Sequence, residues 1–276
     1  KKKAWEILSQ YKPMHIMDLP QMKRDQDVRR FAAEIWDLVK IAEDITGNKL
    51  TAENLSRSIR LINDKRRALQ RLHSTRQASP VPISGKDALT VTQVAFYDDI
   101  QRFIDNTNVL CDELEERIAR HEGVAPADAP RILVTGSPMA LPNWKVHHLV
   151  ESSGGAVVCE EMCTGTRYFE NLVDETPTDL DGQILAIASR YMKTNCACFT
   201  TNSGRVDDII RLVQDYRVDG VIDYALQFCG LYSIESHLVK AALQDRGIPF
   251  MHLETDYSPA DSEQLQVRIQ AFLEML

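Results

Sequence analysis

Residues 131–165 read RILVTGSPMALPNWKVHHLVESSGGAVVCEEMCTG. The apolar run Arg131-Ile132-Leu133-Val134-Thr135 stops at Gly136-Ser137-Pro138, a strand followed by a turn. A helix is expected from Asn143 to Ser153, closed by Gly154-Gly155. Ala156-Val157-Val158-Cys159 is a second apolar strand. The alternation continues to the end of the chain. Helices are expected from Asp181 to Met192 and from Arg205 to Tyr216, the latter with Val206, Ile209, Ile210 and Val213 on one face. Gly220 to Leu226 is a third strand, and a helix from Ile234 to Asp245 ends at Gly247. Pro249 to Leu253 is a fourth strand. The last helix runs from Ser262 to Leu276, with Leu265, Ile269, Phe272 and Leu273 apolar. Continuous apolar strands joined through helices predict an α/β fold with a parallel four-stranded sheet covered on both faces. Ligands of such sheets gather beyond the carboxyl ends of the strands. Those ends carry Gly136-Ser137-Pro138, Cys159 through Gly165, Gln227-Phe228-Cys229 and Glu254-Thr255-Asp256.

Upstream, GVAPADAP at 123–130 marks a boundary, and residues 131–276 form the C-terminal domain. Residues 23–124 read as a helical region. Val28, Phe31, Ala32, Ile35, Leu38, Val39 and Ala42 keep helical spacing before Gly47. Thr51 gives a weak capping signal, with its acid one position early. Leu55, Ile59, Ile62 and Leu69 form a second stripe, and a third helical region from Ala88 to His121 is expected to break once. Cys111 in that region reads as a core residue, and Lys65-Arg66-Arg67 as a solvated face. Residues 1–22 pair a helix, Lys1 to Gln10, with a short strand, Met14 to Pro20. A lone buried strand leaves its backbone groups unpaired, so this segment is expected to be the end of a truncated N-terminal α/β domain.

The chain has 276 residues and a formal net charge of -8, which removes the basic face expected of a nucleic-acid binder. Its longest apolar runs fall short of the roughly 20 residues of a membrane span. The opening KKKAWEILSQYKP lacks the apolar core of a signal peptide. Six cysteines in a chain of this size, without a secretion signal, favour reduced thiols or metal ligation over disulfides. A cytoplasmic setting is expected.

Five of those cysteines fall in three groups: Cys159 and Cys163, Cys196 and Cys198, and Cys229. All three groups sit near strand ends or in loops, where they can converge. Iron–sulfur clusters are held by cysteine thiolates, and zinc accepts the same donors. Spacing alone does not choose between them, and a cysteine-rich core is the plainer alternative. Thr135-Gly136-Ser137 reads equally as a phosphate cradle or a structural turn. His147 and His148 are weaker ligand candidates, and Asp256 and Asp261 are expected to cap or precede the last helix.

The segments CEEMCTGTRYFENLVDE, RYMKTNCACFTTNSGR, VDGVIDYALQFCGLYSIES and GIPFMHLETDYSPADSEQLQVRIQAFLEML occur in that order. They resemble successive motifs of the 2-hydroxyacyl-CoA dehydratase family, which includes benzoyl-CoA reductase subunits and double-cubane cluster reductases. The resemblance covers residues 131–276 strongly and 1–20 recognisably. It implies Rossmann-like domains with helical segments between them and an iron–sulfur cluster in the cleft, either a four-iron cubane or a double cubane. It also implies an ATP-dependent activator that injects a low-potential electron, and a homodimer or a heterodimer with a paralogous subunit. The substrate implied is an acyl-CoA, dehydrated through a ketyl radical, or a small molecule that is reduced. Cys229 matches the family's cluster cysteine in this domain. Cys159 with Cys163 resembles the double-cubane pattern, and Cys196 is a further ligand candidate, ahead of Cys198. Glu263 and Val267 stand where a Gly and a Thr are expected in dehydratase subunits, which leans the reading to the double-cubane branch. A zinc- or thiol-stabilised, non-catalytic partner subunit is the reading from another class.

Overall fold

The computed structural model describes residues 2–276. In chain order, its first five helices are α1 (Lys2–Leu8), α2 (Asp25–Thr46), α3 (Ala52–Thr75), α4 (Gly85–Val94) and α5 (Ile100–Ala119). Strand and helix then alternate: β1 (Arg131–Gly136), α6 (Lys145–Ser152), β2 (Ala156–Glu161), α7 (Thr166–Phe169), α8 (Leu180–Met192), α9 (Ser203–Asp215), β3 (Gly220–Leu226), α10 (Gly230–Gln244), β4 (Phe250–Thr255) and α11 (Ser262–Leu273). The four strands found in the sequence are the four strands of the sheet, with ends moved by one to a few residues.

The chain divides into two compact units. The first holds the chain up to Arg60, Leu172–Thr194 and Cys198–Thr201; the second holds Leu61–Asn171, Asn195–Ala197 and Asn202–Leu276. This division differs from the sequence boundaries. Residues 23–124 do not form one body, and α8, inside 131–276, belongs with the first unit.

In the first unit α2 packs against α8. Asp179 caps α8 by accepting from the Gly182 amide at 2.9 Å, and Ile184, Ala188 and Met192 form its buried stripe. Residues 14–20 form no strand, contrary to the sequence reading. The Asp18 amide is satisfied by the Glu34 carboxylate of α2 at 2.9 Å, not by a sheet neighbour. Thr51 does cap α3, accepting from the Asn54 amide.

The second unit is built on a parallel sheet of order β2-β1-β3-β4. This is the Rossmann-like α/β arrangement that the alternation predicts. Ile132, Val134, Val157, Ile222, Tyr224 and Leu253 face α4, α6 and α11 on one side. Leu133, Val158, Cys159 and Val221 face α9 and α10 on the other. Val158 and Cys159 are consecutive yet share a face, because a bulge lies between the pairs Ile132↔Val157 and Leu133↔Cys159. One residue inserted into a ladder reverses the parity of everything after it. Glu160 therefore points to the α6 side and Glu161 to the α9 side. A third core joins α3, α4, α5 and α7 through Leu69, Leu72, Phe103, Cys111, Leu114 and Phe169. Cys111 is a core residue, as read, and the third helical region breaks once, between α4 and α5.

Lys65-Arg66-Arg67 correct the sequence reading. Lys65 and Arg66 are buried, and only Arg67 lies on a solvated face. The Lys65 ammonium donates to the Ala95 carbonyl at 3.1 Å, and Arg66 donates to Asn63. Long cationic side chains can enter a core when their heads find oxygen acceptors. No helix among the described residues is long and apolar enough to cross a membrane.

Candidate functional site

At the carboxyl end of β2 the chain turns through Met162-Cys163-Thr164-Gly165 into α7. Gly165 makes this turn possible: a Cβ there would lie 2.3 Å from the Glu160 carbonyl oxygen. The close approach sets Arg167 beneath the strand end. There the guanidinium binds both oxygens of buried Glu161, its Nη2 at 2.6 Å from Oε2. A second buried guanidinium, Arg205 of α9, reaches Glu161 at 3.2 Å and Thr135 at 2.9 Å, and also pairs with Glu235 of α10. It lies 3.6 Å from Asp223 of β3, whose other oxygen meets His252 Nδ1 at 2.7 Å. Two arginines are thus shared among three carboxylates inside the sheet unit. Burying charges in this way is tolerated when each is paired and hydrogen-bonded.

Two thiols sit on this network. The side chain of Cys163 is hydrogen-bonded to that of Cys196 and to Arg167. Cys196 in turn contacts the Tyr232 hydroxyl of α10 at 3.4 Å. The short segment carrying Cys196 is pinned by Asn195, whose amide donates to Asp208 of α9 at 2.7 Å. Cys163 is exposed and Cys196 half-buried. The hydrogen bond that Cys163 donates to Cys196 and the loss of water around the sulfur hold the Cys163 thiol well above its ordinary range, with Arg167 pulling the other way. Desolvation likewise pushes the Tyr232 phenol up, against Arg167.

The remaining sequence candidates fall elsewhere. Cys159 is fully buried in the apolar core under α9, and burial pushes its thiol far up, with Glu160 adding to the effect. It is not brought to the Cys163–Cys196 pair. Cys229 is half-buried at the N-cap of α10, just after β3. Phe228 before it has φ 67° and is 92% exposed. Cys198 is half-buried and belongs to the first unit. Among the described residues, no three His, Cys, Asp or Glu side chains converge as a metal site.

His147 is buried and binds Glu160 at 3.0 Å. Glu160 also takes a two-point contact from Arg76 at 2.7 Å for each oxygen. Burial raises the Glu160 carboxyl, but Arg76 and His147 outweigh it and hold the group well below the usual carboxylate range. Arg76 also donates to His73 at 3.1 Å. Burial, aided by Arg76, lowers His73 to about 3. These groups form a structural ion cluster on the α6 side. Thr135-Gly136-Ser137 proves a structural turn. Gly136 has φ 116°, the Ser137 amide donates to Tyr224, and α6 begins well downstream at Lys145. Asp261 stands at the N-cap of α11, as expected, but spends its carboxylate on Lys145 at 2.6 Å and on Thr255 rather than on the helix amides. Asp256 turns back to the Ser258 amide. Beside Lys145 lies a cavity of about 360 Å³, lined in part by Lys86, Trp144, His148 and Tyr257.

The buried arginines were not singled out in the sequence. Their signal was a carboxylate at the end of an otherwise apolar strand, Glu160-Glu161, which demands a cationic partner on each face.

The profile of the family described as 2-hydroxyglutaryl-CoA dehydratase, D-component, matches residues 1–276. The chain belongs to this family. It is 37% identical over 283 residues to the "Putative dehydratase subunit YjiM" of Escherichia coli, covering 100% of this chain and 71% of that protein. It is 23% identical to the (R)-2-hydroxyglutaryl-CoA dehydratase, subunit beta, of Acidaminococcus fermentans, over 96% of this chain and 69% of that protein. Identity to a benzoyl-CoA reductase polypeptide of Thauera aromatica is 21%, over 97% of this chain and 68% of that one. Cys163 and Cys196 are the thiols that the structure brings together, and they are the ones that would offer sulfur to an iron–sulfur group. Both sulfurs are adjacent, outside the apolar core and beside a fixed guanidinium. Cys159 does not meet those conditions.

Proposed function

We propose that this chain is an iron–sulfur component of a D-component-family enzyme, working in low-potential one-electron chemistry with an ATP-dependent activator and a second subunit. Cys163 and Cys196 are assigned as sulfur donors from this unit, with Cys229 as a further one. Cys159 is assigned as a core thiol. The observation that carries the reading is the hydrogen-bonded Cys163–Cys196 pair set on Arg167. Thiolates are the ligating form. The buried Arg167 guanidinium pulls Cys163 toward the thiolate, against burial and the bond to Cys196. When bound, an iron–sulfur cluster supplies reversible one-electron reduction. This chain's residues hold the sulfurs, balance their charge and limit water around them.

The resemblance implies that single-cubane members take one cluster cysteine from this domain, at the position of Cys229, so a further pair at Cys163 and Cys196 leans the reading to a double-cubane reductase of small molecules. The second reading is a subunit that removes water from a (R)-2-hydroxyacyl-CoA. It is favoured by the dehydratase names of the relatives. The test is iron and acid-labile sulfide per chain, on full-length protein purified without oxygen. Near eight irons is expected. Near four would move the dehydratase to first place. Equimolar zinc without sulfide would replace both with the zinc-stabilised partner subunit. Cys163→Ala and Cys196→Ala should each lower the iron bound, whereas an unchanged content would remove the pair from the ligand set.

A further inference from the structure

We infer that Arg167 and Tyr232 act together as positioning residues that set the reduction potential of the iron–sulfur group, by donating hydrogen bonds to the sulfurs of Cys196 and Cys163. This rests on the ligand assignment above and goes beyond it. A guanidinium has donors and no acceptor. In the contact between Arg167 Nη1 and the Tyr232 oxygen, the tyrosine is therefore the acceptor. Its single hydroxyl hydrogen is left for another partner, and Cys196 Sγ lies at 3.4 Å. A sulfur that ligates a metal is a thiolate and accepts only, which fixes the direction: Arg167 to Tyr232 to Cys196. Arg167 also bonds directly to Cys163. One guanidinium thus reaches both sulfurs, one directly and one through a phenol.

The relay is held rigidly. Glu161 fixes Arg167 from behind by two oxygens. The Tyr232 ring is flanked by two guanidiniums, Arg167 at 5.5 Å and Arg205 at 4.9 Å from its centroid. Arg205 is tied to Glu161, Thr135 and Glu235. Tyr232 is 5% exposed, so little water competes for its hydroxyl. Hydrogen bonds to cluster sulfurs favour the reduced, more negative state and raise its potential. Bonds to charged acceptors are about twice as strong as neutral ones.

The experiment uses full-length protein purified without oxygen. Iron per chain is measured first, then the midpoint potential by dye-mediated titration with paramagnetic-resonance readout. Tyr232→Phe should keep its iron and become harder to reduce by about tenfold in the one-electron equilibrium, or 59 mV. Replacing Tyr232 by 3-fluorotyrosine, a stronger donor of nearly the same shape, should move the potential the other way. If the Tyr232→Phe chain fails to fold or to hold iron, the fluorotyrosine chain decides. Iron present with a potential that neither replacement moves by even twofold in the equilibrium overturns the relay and leaves the cluster reading standing. Absence of iron from the unaltered protein overturns both.

Discussion

Cys159 and Cys163 stand four residues apart and have opposite environments. Cys159 is enclosed by Leu133, Ile209 and Val221, while Cys163 lies beyond the strand end. Cys159→Ala should therefore leave iron content unchanged and lower stability by roughly 1 kcal/mol, the order expected for a small core truncation; metal analysis and urea unfolding check the two parts. Gly165→Ala forces a Cβ onto the Glu160 carbonyl. It should cost about 1–3 kcal/mol as overpacking does and displace α7, so that iron loading falls as well. Cys159, read as the end of its strand, lies inside β2. That Cys163 and Cys229 follow strands and that Cys196 and Cys198 lie in a loop between elements was legible in the sequence. Which of them touch was not, because adjacency of Cys163 and Cys196 depends on Gly165 and on the Asn195–Asp208 hydrogen bond, neither of which has a periodic signature.

At the scale of elements, the strands of the sheet were legible because each is a short apolar run between turn residues. The strand expected at residues 14–20 was not one, because its backbone finds a side-chain partner in Glu34. Lys65 and Arg66 on α3 were misplaced because a charge run carries no mark of the acceptors it will meet. Further along the same helix, Arg76 and His73 converge on Glu160. Arg76→Met would leave Glu160 buried without its cation and should destabilise by about 3–5 kcal/mol. His73 gives a pH dependence. Its folded value, about 3, lies below the ordinary value of 6.5. The unfolded chain therefore binds the extra proton across that interval, and stability falls as pH drops below about 6.5 toward 3. The slope is about 1.4 kcal/mol per pH unit for one such group. Urea midpoints at pH 5 and pH 7 should differ less in His73→Gln than in the unaltered protein.

Across the whole molecule, stability should be uneven. Helix α1 is seven residues long with no buried residue, too short to persist on backbone hydrogen bonds alone. β1 and β2 are buried at every position. Amide exchange followed by mass spectrometry should exhaust α1 within seconds while β1 and β2 remain protected; equal protection would contradict this account. The bulge at Val158 has a consequence for how length variation is tolerated in the gene. Removing the Val158 codon would remove the bulge with it: Leu133 would still stand opposite Cys159, and Glu160 and Glu161 would keep their sides, toward Arg76 and Arg205. Both strong pairings would instead be lost to a one-codon insertion between Cys159 and Glu160 that no further bulge absorbs, because it turns both acids over. Relatives that lack only the bulge residue should then keep their buried arginines, and length changes in the 123–130 loop should likewise be carried without any companion change.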